Sequence, residues 1–378
     1  MSDQQDYNCI IIGAGIQGSF TAYHLAKNNK RTLLLEQGSS HGQTRIIRKA
    51  YEHDFYTHMM EECYLLWAKL EAEANVTLFR RTGILVKGPE DDVDFQQFRS
   101  ILARNQVPTE ILGPEEFSQR LPQVNLLAGE WALMDTTAGV LYANRALRAV
   151  QRVFQSEGGV IKDGDQVTDI QPGSTVTATT ATEVYREESL VITAGPWANT
   201  LMALHWTTNT TTVVMINVCY WKEKVPGTLD ISSRNPCFVQ LGVEGSQYHF
   251  YGLPSNEYPG LMKICYHMGS ETEPDESDQQ TDRTDVHLLS QFVSHYLLGL
   301  EPEPAVVERV CTLSCCLQVT PDHHFVLDRH PHHNNIIIGA GFSGHGFKFG
   351  PVVGKVLCKL SLGQMPSYDL SPFKIQRL

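Results

Sequence analysis

Two arginines three positions apart, Arg45 and Arg48, follow the Gly-Ser-rich segment Gly38-Ser39-Ser40-His41-Gly42-Gln43-Thr44. Much later, Gly344-His345-Gly346-Phe347-Lys348 sets another cation behind a glycine cluster. Between them, Lys263 and His267 stand four positions apart in Leu261-Met262-Lys263-Ile264-Cys265-Tyr266-His267. Arginine offers a carboxylate a planar fork, lysine adds a point charge, and histidine can give or take a proton near neutral pH. Such residues suit a site that grips a small anion while a proton moves. On a helix Arg45 and Arg48 would share one face, and on a strand Lys263 and His267 would. The plain alternatives are a solvated basic face and an ordinary structural histidine.

These groups need a frame, and a phrase used twice supplies it. Cys9-Ile10-Ile11-Ile12-Gly13-Ala14-Gly15-Ile16-Gln17-Gly18 opens the chain, and Asn335-Ile336-Ile337-Ile338-Gly339-Ala340-Gly341-Phe342-Ser343-Gly344 returns near its close. Each is an aliphatic strand run ending in glycines that a helix can follow. In the first copy Gly13 permits the tight turn, Gly15 lets backbone approach a pyrophosphate, and Gly18 lets helix pack on strand. A second strand run, Thr32-Leu33-Leu34-Leu35, ends in Glu36, where an acid can hold ribose hydroxyls. Strand, helix, strand and acid in this order predict an adenine dinucleotide site. The second copy favours flavin over nicotinamide, because a returning strand can aim a helix N-terminus at the flavin ring.

At 378 residues the chain has room for two domains. A formal charge of −12 argues against nucleic acid, whose phosphates demand a basic surface. No apolar run reaches the roughly 18 residues needed to span a bilayer, and neither a membrane segment nor a secretory signal is expected. Nine cysteines in no regular spacing fit a reducing compartment better than a disulfide scaffold. The ending Gln376-Arg377-Leu378 partly echoes a peroxisomal address.

The expected order of elements is strand, helix, strand over 8–36, an amphipathic helix from Phe55 to Leu70, and a strand over Phe79–Val86. A helix over Leu141–Phe154 and strands at Val160–Ile161 and Leu190–Thr193 follow. From Val213 to Gln318 short strands at Val213–Trp221, Tyr248–Gly252 and Leu261–Tyr266, with a helix at Val286–Leu298, predict an antiparallel sheet. The fold class is therefore α/β, a Rossmann-like FAD-binding domain of the glutathione-reductase type interleaved with an antiparallel-sheet catalytic domain. The expected division assigns 1–88, 139–212 and 320–378 to the first and 89–138 with 213–319 to the second.

Five motifs in order carry a family resemblance: Gly13-x-Gly15-x-x-Gly18, Gly42-x-Thr44-Arg45-Ile46-Ile47-Arg48, Val191-Ile192-Thr193-Ala194-Gly195-Pro196-Trp197, Leu261-Met262-Lys263-x-x-Tyr266-His267 and Gly339 to Lys348. Together they resemble the monomeric sarcosine oxidase family, and its peroxisomal animal branch in particular, over nearly the whole chain. The resemblance implies an FAD-dependent oxidase of small secondary amino acids, sarcosine or L-pipecolate, that yields hydrogen peroxide. It implies that Arg48 and Lys348 hold the substrate carboxylate, that Tyr251 and His267 line the amine site, and that Lys263 and Arg45 lie beside the flavin. It assigns Gly13, Gly15, Gly18, Glu36, Thr44, Arg45, Val167, Ala194, Gly195, Trp197, Gly341, Gly344, His345 and Lys348 to the cofactor, with FAD attached through a cysteine. No metal and no macromolecular partner are implied, and the expected state is a peroxisomal, otherwise cytoplasmic, monomer.

Two departures fall at the cofactor. Glu36-Gln37 runs directly into Gly38, where the family carries a longer connection. The family's Cys-Met-Tyr-Thr is replaced by Val310-Cys311-Thr312-Leu313-Ser314-Cys315-Cys316 before Thr320-Pro321-Asp322. Counting back from Thr320 selects Cys315, and counting forward from Glu308 selects Cys311. The downstream register, unbroken to Gly339, favours Cys315. The rival readings are a catalytically impaired FAD-binding variant and an amine dehydrogenase with an acceptor other than oxygen.

Overall fold

Three apolar strands, Cys9–Ile12, Leu190–Ile192 and Ile336–Ala340, run parallel and adjacent. The computed structural model describes residues 7–38, 42–203, 211–233, 235–256, 258–279, 281–308 and 316–378. Register aligns Ile12 with Ile192 and Ile192 with Ile338, so both glycine phrases leave the same sheet edge. Thr32–Glu36 and Val160–Asp163 extend the sheet in parallel, and Val326–Arg329 closes its far side antiparallel. Strands covered on both faces read as continuous apolar runs, and all of Cys9–Ile12 is buried. Ile11, Leu34, Val191 and Ile337 pack with the helices Ile16–Lys27, Ala143–Ser156 and Gly350–Ser361. Ile10, Ile12, Leu33, Ile192 and Ile338 face the opposite way, onto the three-stranded sheet Val167–Gln171, Val176–Thr180 and Val184–Glu187.

The second large sheet has eight strands, in the order Leu300–Glu308, Val218–Glu223, Leu261–Tyr266, Phe250–Leu253, Cys237–Gln240, Ile84–Pro89, Glu130–Asp135 and Thr109–Leu112. Every neighbouring pair is antiparallel except Cys237–Gln240 with Ile84–Pro89. Helix Thr284–Tyr296 covers one face, where Phe292 stacks on Phe250 at 4.4 Å between ring centroids. Alternation then sends Tyr251 and Lys263 to the other face, since a strand's side chains reverse at each residue.

Several boundaries differ from the sequence expectation. Phe79–Val86 is two strands in two sheets. Phe79–Arg81 joins Thr44–Ile47 and Gly139–Tyr142, and after a turn at Gly83 (φ +79°) Ile84–Pro89 enters the eight-stranded sheet. That strand therefore lies in the sheet that the boundary at residue 88 assigned to the other unit. Val213–Trp221 likewise divides into Thr212–Met215 and Val218–Glu223. The helix after the second glycine phrase starts only at Gly350, behind the short turn Phe347–Phe349. Thr44–Ile47 is a strand, so Arg45 and Arg48 do not share a helical face.

Candidate active site

The common edge of the three central strands forms the floor of a cleft. Gly13 holds φ +94°, and a Cβ there would come within 2.3 Å of the Thr193 carbonyl oxygen. A Cβ on Gly18 would meet the Gly13 carbonyl at 2.0 Å, which is the close helix–strand approach its spacing predicts. Gly15 is the cap residue of helix Ile16–Lys27 and lines the cleft, with no acid in the helix's first turn to compete for its free N–H groups. Beside this floor, at the end of the neighbouring strand, stands Glu36. Its carboxylate accepts from the Ala14 amide at 2.6 Å and the Gly38 amide at 2.9 Å, while burial raises its pKa. Val167, Ala194, Gly195 and Trp197 complete the wall.

A second cavity of about 460 Å³ opens at the far end. It shares Arg45, Ser343, Gly344 and Phe347 with the cleft, so the two spaces meet at the second glycine loop. Arg45 lies over the Phe347 ring, 5.8 Å from its centroid. Beyond it, Arg48 and Lys348 both approach Tyr51, at 4.8 and 5.4 Å from the ring centroid. Lys263 extends from the sheet and donates to the Thr44 carbonyl at 3.5 Å. Tyr251 and His267 meet edge to face at 5.9 Å.

The electrostatics of this cavity call for an anion. Lys348 is 7% exposed, and burial with the Arg48 and Arg45 charges nearby holds its pKa well below the usual lysine range. Buried Arg48 Nη1 has no hydrogen-bond partner, and among the described residues neither cation forms an ion pair. Lys348 is buried and Arg48 partly so, and the Glu52 carboxylate on the cavity wall only partly offsets the Lys348 shift. Cations gathered this way are costly, and a bound carboxylate would relieve both. His267 is pushed down to about 3 by burial and by His249, Arg48 and Lys348, so it stands neutral. His345 is held neutral in the same way, chiefly by burial and Lys348.

Residues 8–360 match the FAD dependent oxidoreductase (DAO) family. Over the full chain the sequence is 51% identical to peroxisomal sarcosine oxidase of Homo sapiens, covering 98% of that protein. It is 31% identical to monomeric sarcosine oxidase of Bacillus sp. (strain B-0618), with 98% of this chain and 96% of that protein covered. The chain belongs to the sarcosine oxidase family. Solved structures of the amino acid oxidase NikD and of L-proline dehydrogenase from P. horikoshii share its fold at TM-scores of 0.83 and 0.81. Each covers 98% of this chain and is matched over 97% of its own, at 22% and 21% identity.

FAD, the cofactor of this family, fits the cleft on local grounds: the glycine floor leaves no side chain in its path, and the acid and the open helix end line it side by side. Its reactive end would reach the junction, where Thr44 Oγ1 is buried without a hydrogen-bond partner. Of the residues selected from sequence, Gly13, Gly15, Glu36, Arg45, Val167, Ala194, Gly195, Trp197 and Gly344 line the cleft. Gly18 and Gly341 lie behind it. The Gly341 amide donates to the Gln318 side chain at 2.9 Å, which fixes the second glycine loop. Thr44, Arg48, Tyr251, Lys263, His267, His345 and Lys348 line the second cavity, so His345 and Lys348 reach the cofactor only at its junction end. Cys311 and Cys315 lie outside the described residues.

Sequence reasoning missed Tyr51, Tyr56, Gln318 and the pair His323-His324, which sit beside these groups. A signal existed for the last two, since they follow directly on Thr320-Pro321-Asp322. Tyr51 and Tyr56 carry no signal in the sequence that separates them from core aromatics, and both are buried. Among the described residues no group of His, Cys, Asp and Glu is placed to hold a metal, and no helix is long and apolar enough to cross a membrane.

Proposed function

We propose that this chain is an oxidase of small secondary amino acids, sarcosine and L-pipecolate, working as a monomer. The observation that carries the reading is the pair of cations, buried Lys348 and partly buried Arg48 with its unpartnered Nη1, beside the point where the FAD cleft opens into the second cavity. When bound there, FAD supplies acceptance of a hydride from the carbon beside nitrogen and delivery of the electron pair to oxygen, giving hydrogen peroxide. Arg48 and Lys348 clamp the carboxylate and so fix which carbon faces the cofactor. Neutral His267 and Tyr251 line the amine end without repelling it. The reaction needs the unprotonated amine, so turnover rises with pH through the bound amine's pKa. Water then hydrolyses the acyclic imine, whereas a cyclic imine persists. The division of the chain into a cofactor-binding and a substrate-binding unit follows the two large sheets. Peroxide production with sarcosine and L-pipecolate tests the reading, and its absence from FAD-loaded protein sinks it.

Lys263, buried and cationic, belongs to the oxygen half of the reaction rather than to substrate binding. Lys263→Met is expected to slow oxygen uptake by pre-reduced protein at least about tenfold, while anaerobic bleaching by substrate stays comparatively intact. Equal reoxidation in stopped-flow traces would instead favour an acceptor other than oxygen.

Attachment of FAD is proposed at Cys315. No described cysteine lines either space, and burial pushes Cys9, Cys237 and Cys358 up to about 12, far from a reactive thiolate. Cys315 directly precedes the strand Cys316–Val319, whose Gln318 lines the cleft. Peptide mapping of acid-precipitated protein is expected to place the flavin mass on Cys315; a fragment series that excludes it ends the assignment. Targeting to peroxisomes is proposed from the kinship; of Gln376-Arg377-Leu378, the Arg377 side chain is engaged within the fold. Import of a tagged chain, with and without these three residues, tests it.

A further inference from the structure

The second cavity is walled on one side by the loop between strands Cys316–Val319 and Val326–Arg329, through Asp322, His323 and His324. This loop is folded on itself: the His323 amide donates to the Thr320 carbonyl at 3.0 Å and the His324 amide to Asp322 Oδ1 at 3.1 Å. Its outer side is gripped from the end of the chain. Arg377 Nε donates to Asp322 Oδ2 at 2.6 Å, and Nη2 donates to Asp322 Oδ1 at 3.1 Å and to the His324 carbonyl at 2.7 Å. The Arg377 side chain is only 15% exposed. The segment that carries it is anchored separately. Lys374 Nζ and the Ile375 amide donate to the two oxygens of Asp328 at 2.8 and 3.1 Å, and buried Phe373 packs on Phe325 and Phe55.

On its inner side the same loop holds the site. The His323 carbonyl lies 3.3 Å from His345 Nε2, and a carbonyl can only accept, so Nε2 carries the proton and buried Nδ1 does not. His324 Nδ1 shares a hydrogen bond with the Tyr56 hydroxyl at 3.3 Å. His345 and Tyr56 both line the cavity and both pack against Tyr51, over which Arg48 and Lys348 lie.

We propose that Arg377 is a positioning residue for substrate: by bracketing Asp322 and the His324 carbonyl, it fixes the loop that sets the His345 tautomer and closes the carboxylate end of the cavity. A bidentate fork specifies direction as well as distance, and a small displacement of a substrate-positioning wall weakens the hold on substrate. The inference rests on the second cavity being the substrate site.

The test uses FAD-loaded protein. In Arg377→Ala, KM for sarcosine is expected to rise about tenfold, with FAD content retained and kcat much less affected. Arg377→Lys restores one contact and should recover part of the loss. Asp322→Asn should weaken binding through the same link and decides the matter if the alanine variant fails to fold. KM within twofold of the unaltered protein in both Arg377→Ala and Asp322→Asn overturns the proposal, as does a loss of thermal stability with KM unchanged. Failure of the unaltered protein to oxidise sarcosine would instead defeat the substrate reading. The role of Arg377 is then read from the Kd of acetate, followed by the shift of flavin absorption. An unchanged Kd on Arg377→Ala overturns it there too.

Discussion

Gly15→Val is expected to yield folded apoprotein. The backbone at Gly15 has φ −61°, which any residue adopts, so the substitution brings no left-handed strain. Replacing a glycine cap by valine costs the first helix only about 1 kcal/mol. What changes is the cleft, whose floor gains an isopropyl group where the pyrophosphate must approach backbone. Far-UV circular dichroism should match the unaltered protein while the visible flavin absorption is lost. Full FAD content after purification would show that the cleft is not the dinucleotide site. Gly13 is a poorer choice for this test, because its φ of +94° and its approach to Thr193 make any side chain disruptive to the fold itself.

Lys348→Met is expected to weaken sarcosine and L-pipecolate together, since both present the same carboxylate. A lost charge-assisted contact of about 1.5–3 kcal/mol corresponds to roughly a 10- to 150-fold rise in Kd. Affinity unchanged for both substrates would remove Lys348 from the pocket. The pH dependence supplies an independent check with a worked sign. Burial and the Arg48 charge depress the Lys348 pKa in the free protein, so its charge is lost as pH rises through that lowered value. A bound carboxylate stabilises the charged form, and binding above that point must take up a proton. Affinity for a simple carboxylate such as acetate should therefore fall as pH rises, while turnover of an amine substrate climbs with amine deprotonation. In Lys348→Met the slope for acetate should flatten. Methionine also removes a charge from beside Arg48, so its effect on stability is expected to be neutral or favourable.

How far the sequence reaches can be judged from particular elements. Strand, glycine turn, helix, strand and acid over residues 8–36 were legible because each feature is local: continuous apolar runs, a position that only glycine fills, and a period that matches helix or strand. The second glycine phrase was legible for the same reason, and so was Lys263 on a strand. Other features were decided by tertiary structure. The turn at Gly83 sends Phe79–Arg81 and Ile84–Pro89 into different sheets, because pairing partners far away in the chain, Gly139–Leu141 and Glu130–Asp135, compete for one apolar run. Local propensity holds no record of that competition. Arg45 and Arg48 reach their places because strand pairing with Gly139–Tyr142 overrides the helical option. Arg377 and Asp322 stand 55 positions apart and meet only when the last turn packs beneath Phe325. Above all, the sequence named the cations, but the burial of Lys348 and the partial burial of Arg48 beside it exist only in the folded cavity. Solvation is a property of the surroundings in space, and it is what suits two ordinary basic residues to the carboxylate site proposed for them.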